Sequence, residues 1–164
     1  MKLSIARWAG LAVVLLGAVQ LAAGGDAETN VRDKFKALQS AIKAKDSAKI
    51  WALVSSDTQA AANKVAKGLQ DKYTKADAAG KKQLEDSVVL PGAVLAKMTG
   101  QDYFKAKVFD EKYGEVADSK VDKVVVKGDK ATVSYTEPDN DKRTLTFVRE
   151  NNQWKAELKI VRAD

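Results

Sequence analysis

The sequence predicts an α+β domain in which N-terminal helices pack on a curved antiparallel sheet of four or more strands. The main observation is a change in hydrophobic period. Apolar residues recur at helical spacing from about Asn30 to Tyr113. After Ser119 the period changes to two, although the first strand has little face preference because Val124, Val125 and Val126 are consecutive. No Pro-, Ser- or Gly-rich spacer separates the two halves, so we expect a single domain. Of the 164 residues, 139 follow residue 25, which is long enough to bury a hydrophobic core.

Residues 1–25 are predicted to be a secretory signal, and residues 26–164 the exported domain. The segment begins with two basic residues and no acid, and stays apolar or small through residues 8–24. Small residues then precede the cleavage expected after Gly25 or Ala27. The alternative is an uncleaved inner-membrane anchor, because the apolar stretch is close to the shortest that spans a bilayer. We therefore expect a periplasmic or extracellular protein that meets a membrane only through this segment.

Composition excludes several classes of chemistry. The chain has neither histidine nor cysteine, so it can form no disulfide and no imidazole-assisted nucleophile. It also lacks the usual ligands of zinc and copper. We predict no metal, no cofactor and no catalytic residue. The 28 basic and 22 acidic residues are interleaved along the chain, which argues against a nucleic-acid interface.

Capping signals divide the helical half into elements. N-caps are predicted at Asn30, at Asp46–Ser47 and within the cluster 55–58. A helix break is expected over Asp77–Lys82, which contains a glycine, and a stop is expected at Pro91–Gly92. The apolar positions that these helices are expected to bury are Val31, Phe35, Leu38, Ile42, Ala62, Val65, Ala66, Leu69 and Tyr73.

Two shorter helical stretches follow the proline. Residues 93–98 are predicted to form one of them. Thr99 with Asp102 three residues later indicates a capping box at the start of the other, which carries Tyr103, Phe104 and Phe109. A general base at Asp102 beside the Tyr103 hydroxyl is the functional alternative, but the spacing favours the cap.

The last third of the chain predicts a four-stranded antiparallel meander. The first strand is expected over Val121–Lys127, with turns at Gly128–Asp129, at 138–141 and at Asn151–Asn152. The acidic turn around Glu137 lacks the glycine of a calcium loop. The apolar face of the later strands comprises Ala131, Val133, Tyr135, Leu145, Phe147, Trp154, Ala156, Leu158 and Ile160. The opposite face, which we expect to meet solvent, carries Thr132, Ser134, Lys155 and Glu157.

Several local motifs accompany this order of elements. They are Phe35-x-x-Leu38-x-x-Ala41-Ile42, Ala44-Lys45-Asp46, Ile50-Trp51-x-Leu53, Ser55-x-Asp57-Thr58 and Asn151-Asn152-Gln153-Trp154-Lys155. With them the chain resembles the NTF2-like (SnoaL/cystatin-like) superfamily. The resemblance implies a cone-shaped pocket between the helices and the concave face of the sheet. It also implies dimerisation through the outer face, so that a homodimer is possible. Residues 71–113 are longer and more helical than the hairpin that the superfamily has there. Enzymatic members often use a histidine or an aspartate in the cone, and the resemblance transfers no catalytic residue to this chain.

Aromatic residues are the candidate ligand-binding side chains. They are Trp51, Tyr73, Tyr103 and Tyr135, and filling the core is the alternative role for such residues. The predicted function is an exported, non-catalytic binding or interaction domain for a small apolar ligand or an envelope protein. An isomerase- or hydratase-like enzyme with a carboxylate base and a tyrosine electrophile is the alternative.

Overall fold

The computed structural model describes residues 23–161 and confirms an α+β architecture, with the helices preceding the sheet. The helices are α1 (Ala23–Lys43), α2 (Ser47–Leu53), α3 (Ser56–Lys75), α4 (Ala78–Val88), α5 (Gly92–Leu95), α6 (Gly100–Tyr103) and α7 (Lys107–Tyr113), followed by a 3₁₀-helix (Gly114–Asp118). The strands are β1 (Lys120–Lys127), β2 (Lys130–Thr136), β3 (Lys142–Glu150) and β4 (Gln153–Glu157). In this part of the chain no helix is both long enough and apolar enough to cross a membrane.

The predicted signal segment falls almost wholly outside the described residues. The expected cleavage sites after Gly25 and Ala27 lie in the first turns of α1. Export, cleavage and the uncleaved-anchor alternative therefore stay predictions.

The four strands form the predicted meander. Their order in the sheet is β1-β2-β3-β4, and each neighbouring pair is antiparallel. The β1–β2 turn has its positive φ, +59°, at Gly128, a conformation that glycine adopts without steric cost. The fourth strand is shorter than the alternation predicts. It ends at Glu157, opposite Thr146, so the first four residues of β3 (142–145) have no β4 partner.

One face of the sheet is buried under the helices, as the alternation predicts. Phe35 of α1 is fully buried, and its ring centroid lies 5.4 Å from that of Tyr135 and 6.5 Å from that of Phe147. The predicted α1 stripe is buried with it. On the other face Thr132 and Glu157 are exposed, while the two further positions predicted there are half-buried. The concave face is therefore filled by side chains along its middle.

The predicted caps are confirmed where polar side chains meet free backbone N–H groups. Asp46 accepts a hydrogen bond from the Lys49 amide at 3.1 Å. The carboxylate of Asp102 accepts from both the amide and the hydroxyl of Thr99, at 3.0 and 2.7 Å. Partial burial acts to raise the pKa of Asp102, but the hydrogen bonds from Thr99 and Lys105 outweigh it and hold that pKa below its usual range. Asp102 is part of a capping box, because its carboxylate is held by the backbone and side chain of Thr99 at the start of α6.

The helix break expected over Asp77–Lys82 is confirmed at its start, because α3 ends at Lys75 and α4 begins at Ala78. Gly80 itself lies inside α4, since the Asp77 carboxylate caps that helix by accepting from the Gly80 amide at 2.8 Å.

Three boundary predictions are wrong. Asn30 is no N-cap, because α1 already runs from Ala23 with Asp26 in its first turn, where an acidic side chain favours the helix. The helix predicted over 93–98 is shorter and ends at Leu95. The stretch after Thr99 forms two helices, α6 and α7, rather than one.

Candidate functional site

A cleft of about 490 Å³ opens where β4 ends beside β3. We call it the acidic cleft, because five carboxylates and three cationic side chains line it, whereas the chain as a whole carries a net charge of +6. Its lining residues are Glu111, Lys112, Tyr113, Glu115, Tyr135, Glu137, Asp139, Arg143, Thr144, Leu145, Thr146, Glu157 and Lys159.

The cleft exists because the chain leaves the sheet after Glu157. Three hydroxyl groups hold the departing segment 158–161, and each contacts both the N–H and the C=O of one residue. The pairs are Thr58 with Leu158, Tyr113 with Lys159 and Tyr103 with Val161, at oxygen distances between 2.7 and 3.3 Å. These side chains replace the missing ladder partners, and the free edge of β3 forms one wall of the cleft.

Tyr135 is the unusual side chain of the cleft. The residue is only 4% exposed, and its hydroxyl takes part in no hydrogen bond with residues 25–161. A buried hydroxyl normally has a partner, and the Tyr135 oxygen is not sealed from solvent. The residue lines the acidic cleft. Burial, assisted by the charge of Glu137, raises the pKa of Tyr135 to about 12, so the hydroxyl is neutral near pH 7.

An ion pair between a buried carboxylate and an exposed guanidinium lies beside this residue. Glu137 is 8% exposed, and its carboxylate accepts from the Arg143 guanidinium at 3.1 Å. Arg143 also donates to Asp141 at 2.8 Å. The hydrogen bond to Glu137 raises the pKa of Arg143. Arg143 lies opposite Tyr135 in the β2–β3 register. The ion pair of Arg143 with Glu137 therefore places charged groups next to the neutral Tyr135 side chain.

Among the described residues, three carboxylates that line the cleft are close enough together to be candidate ligands of a metal ion. Oxygen atoms of Glu115, Glu137 and Asp139 lie within 4.8 Å of one another, and such oxygens are ligands of calcium and magnesium. Arg143 already occupies one oxygen of Glu137. Its positive charge opposes a second cation at that carboxylate.

The four predicted ligand-binding aromatics occupy different parts of the fold, and only Tyr135 lines the acidic cleft. Trp51 is half-buried, with its ring edge-on to Phe104 at 6.1 Å. Tyr73 donates its hydroxyl to Glu85 at 2.7 Å, between α3 and α4. Tyr103 is fully buried. Ligand binding by these residues stays a prediction.

Sequence reasoning missed Glu137, the buried carboxylate of the cleft. The signal was present, because the inward positions 131, 133 and 135 of β2 are followed at the next step of two by Glu137. We interpreted Glu137 only as part of an acidic turn. Extending the strand alternation by one step would have placed a charged group on the buried face.

The raised tyrosine pKa values predict a loss of stability at high pH. Burial raises the pKa of both Tyr113 and Tyr135 to about 12, against about 10 in an unfolded chain. The native state therefore keeps protons that the unfolded state loses, and stabilisation is fully present below pH 10 and disappears as pH rises towards 12. Urea unfolding at several pH values, with tyrosinate absorbance, measures this. Tyr135→Phe should lose less stability over the same interval. An identical pH dependence in both proteins would contradict the assignment.

Comparison of the chain with models of known families, with curated proteins and with solved structures finds no match.

Proposed function

We propose that the protein is an exported, non-catalytic binding domain of NTF2-like shape whose acidic cleft holds a small organic cation. The observation that carries the proposal is the Tyr135 hydroxyl. The Tyr135 side chain is buried, its hydroxyl takes part in no hydrogen bond among the described residues and keeps contact with solvent, and the residue lines a cleft where carboxylates outnumber cations. The order of helices before a curved antiparallel sheet supports the likeness to that superfamily.

An ammonium group would supply a hydrogen-bond donor for the Tyr135 hydroxyl and a positive charge for the excess of carboxylates in the cleft. Its N–H donors can be accepted by the Tyr135 oxygen and by exposed carboxylates such as Asp139. Hydrogen bonds that involve a charged partner are stronger than neutral ones. The faces of Tyr113 and Tyr135, both lining the cleft, attract cations as well. A carboxylate ligand would instead enter a cleft lined by five carboxylates and three cationic side chains, an excess of like charge.

The polarity of the cleft changes the ligand class from the one the sequence predicts. The sequence leaves two alternatives open, a cone packed shut or a cone that holds a small apolar ligand. Phe35 and Phe147 fill the middle of the concave face and are fully buried or nearly so. The acidic cleft opens at the end of the sheet where β4 stops, and charged side chains form much of its walls. These features favour a cationic ligand over an apolar one.

Catalysis by a carboxylate base is less well supported. Such an enzyme needs a buried carboxylate that is free to take a proton. Among the described residues the buried carboxylate is Glu137, and it is paired with Arg143. Binding without chemistry therefore fits the cleft better.

Titration followed by amide NMR tests the proposed ligand class. We use putrescine as the probe and succinate, a dicarboxylate of equal chain length, as its control. Putrescine should shift amides around Tyr135, in α7 and in the turn 137–141. Succinate should leave them in place.

Tyr135→Phe should weaken putrescine binding by about tenfold or more, which is the value of a hydrogen bond to a charged group. The matched control is Tyr73→Phe, whose hydroxyl is already bonded to Glu85 and lies outside the cleft. Binding of succinate, or equal affinity of both tyrosine variants, would overturn the proposal. Shifts produced by Ca²⁺ but not by putrescine would assign the cleft to a metal ion instead.

A further inference from the structure

The outer face of the sheet, which points away from the helices, carries exposed lysines along β1, β2 and the start of β3. The strand registers place them opposite the outward-facing Ser134 and Thr136 or beside the β1–β2 turn. Their side chains therefore lie on the face opposite to the buried Val133 and Tyr135. We call this surface the lysine face, and its basic residues are Lys120, Lys123, Lys127, Lys130 and Lys142.

Ion pairs do not neutralise the charge of the lysine face. None of its lysines forms an ion pair with a carboxylate in residues 25–161. Asp122 lies among them, and its carboxylate accepts from the Thr136 hydroxyl at 2.8 Å. At the other end of the sheet Glu150 accepts from the Ser56 amide and hydroxyl, at 3.1 and 2.9 Å, and Glu157 lines the acidic cleft. The outer face of β1 and β2 therefore presents an excess of positive charge.

Lys127 and Lys130 lie directly opposite each other across the β1–β2 hairpin, where like charges are destabilising. Asp129 in the intervening turn pairs with neither of them. Lysine on an edge strand hinders pairing with another chain. That role accounts for Lys127 but not for Lys130, because β2 lies between β1 and β3. An unfavourable charge pair without a structural role is expected at a functional surface.

Hydroxyl groups occupy the positions between these lysines. Thr132 and Ser134 of β2 lie opposite Thr146 and Thr144 of β3. Unlike that of Thr136, these four hydroxyls form no hydrogen bond with residues 25–161. A hydroxyl both donates and accepts, so the face offers neutral hydrogen-bonding groups framed by cations. Thr144 and Thr146 also border the acidic cleft, whereas Thr132 and Ser134 belong to the lysine face alone.

We propose that the lysine face binds an anionic polysaccharide, a chain of sugars that carries sulfate or carboxylate groups. The ammonium groups pair with the acidic groups of the polymer, and the hydroxyls of Thr132 and Ser134 bond its sugar hydroxyls. Charge complementarity selects a polyanion. The surface is separate from the acidic cleft and takes a ligand of the opposite charge, so it does not depend on the function proposed for the cleft.

The composition of the face favours a polysaccharide over other polyanions. No arginine or aromatic side chain lies among its outward-facing residues on β1, β2 and β3, whereas proteins stack nucleic-acid bases on such side chains. Among the described residues the exposed large hydrophobic side chain is Val89, at the end of α4. The lysine face therefore offers no large apolar side chain that would enter a bilayer.

Calorimetric titration of the full-chain protein at low ionic strength tests this, with amide NMR to locate the contact. The probes are dextran sulfate, uncharged dextran of the same length, phosphatidylglycerol vesicles and duplex DNA. Dextran sulfate should bind and shift amides of β1 and β2, and added NaCl should weaken it because salt screens exposed charges. Dextran should not bind. Tighter binding of vesicles or DNA than of dextran sulfate would overturn the proposal, as would shifts confined to the helices.

Two triple variants separate the face from the net charge of the chain. Changing Lys123, Lys130 and Lys142 together to glutamine should weaken dextran sulfate binding at least about tenfold, since each exposed charge contact contributes modestly. The matched control changes Lys64, Lys72 and Lys97, which are exposed on the helical side and also outside any ion pair of the described residues. It should leave the affinity within about twofold. Equal losses in both variants would show that binding follows net charge alone and would overturn the site.

Two further variants test the charge pair and the hydroxyls. Lys130→Thr should weaken dextran sulfate binding while raising the melting temperature, because it removes the repulsion with Lys127, so its loss of affinity cannot come from unfolding. Thr132→Val combined with Ser134→Ala should weaken binding about fivefold, the value of a neutral hydrogen bond, without changing the salt dependence. Unchanged affinity in Lys130→Thr would contradict the site, and unchanged affinity in the double variant would exclude a polysaccharide as its ligand.

Discussion

Replacing Phe35 with alanine is expected to lower the free energy of unfolding by about 3–5 kcal/mol. The Phe35 ring is fully buried between α1 and the sheet, against Tyr135 and Phe147. Its removal would leave a cavity in the rigid middle of the concave face, where neighbouring rings cannot close in. Urea denaturation followed by circular dichroism measures the change.

The control for this experiment is Lys36→Ala, at the neighbouring exposed position of the same helix. Its effect should stay within about 0.5 kcal/mol. If Phe35→Ala cost no more than Lys36→Ala, α1 would not cover the sheet. The inference that side chains fill the concave face would then fail, and with it the reason for choosing a cationic over an apolar ligand.

Thr58→Val is expected to lower the free energy of unfolding by about 1–3 kcal/mol, because it leaves buried groups without partners. The Thr58 hydroxyl accepts from the Leu158 amide at 2.9 Å and from the Ser55 hydroxyl at 3.0 Å. Valine keeps the shape but supplies no oxygen. Hydrogen exchange at the Leu158 amide should quicken together with the loss of stability.

Thr74→Val is the matched control for that change. The Thr74 hydroxyl is exposed and bonds only the carbonyl of Gln70, one turn earlier in α3, so its loss should be close to neutral. Equal stability of the two variants, with unchanged exchange at Leu158, would show that the hydroxyl does not hold the departing C-terminal segment.

Local patterns predicted the sheet and most of the caps. The alternation in β2 and β3 placed Val133 and Phe147 on the buried face, because side chains of a strand alternate sides whatever the context. The caps at Asp46 and Asp102 were recognisable in the sequence. In each of them a short acidic side chain lies three residues from the backbone amide that it accepts from, that of Lys49 for Asp46 and that of Thr99 for Asp102. Helix starts without such a side chain were not predictable, and α1 begins seven residues before the cap expected at Asn30.

The candidate site was less predictable, because long-range contacts create it. Where β4 ends depends on hydroxyls at positions 58, 103 and 113, which lie 46 to 100 residues from the segment that they hold. Nothing local to residues 153–161 indicates that the strand stops at Glu157. Tyr135 was among the candidate ligand-binding residues, but its missing hydrogen-bond partner is a property of the packed fold.

The most direct test of a cation in the acidic cleft is a crystal structure of the protein grown with putrescine. We expect an ammonium nitrogen within hydrogen-bond distance of the Tyr135 hydroxyl and close to the carboxylate of Asp139. Density for putrescine elsewhere on the surface, with the Tyr135 hydroxyl bonded only to water, would contradict the proposed function.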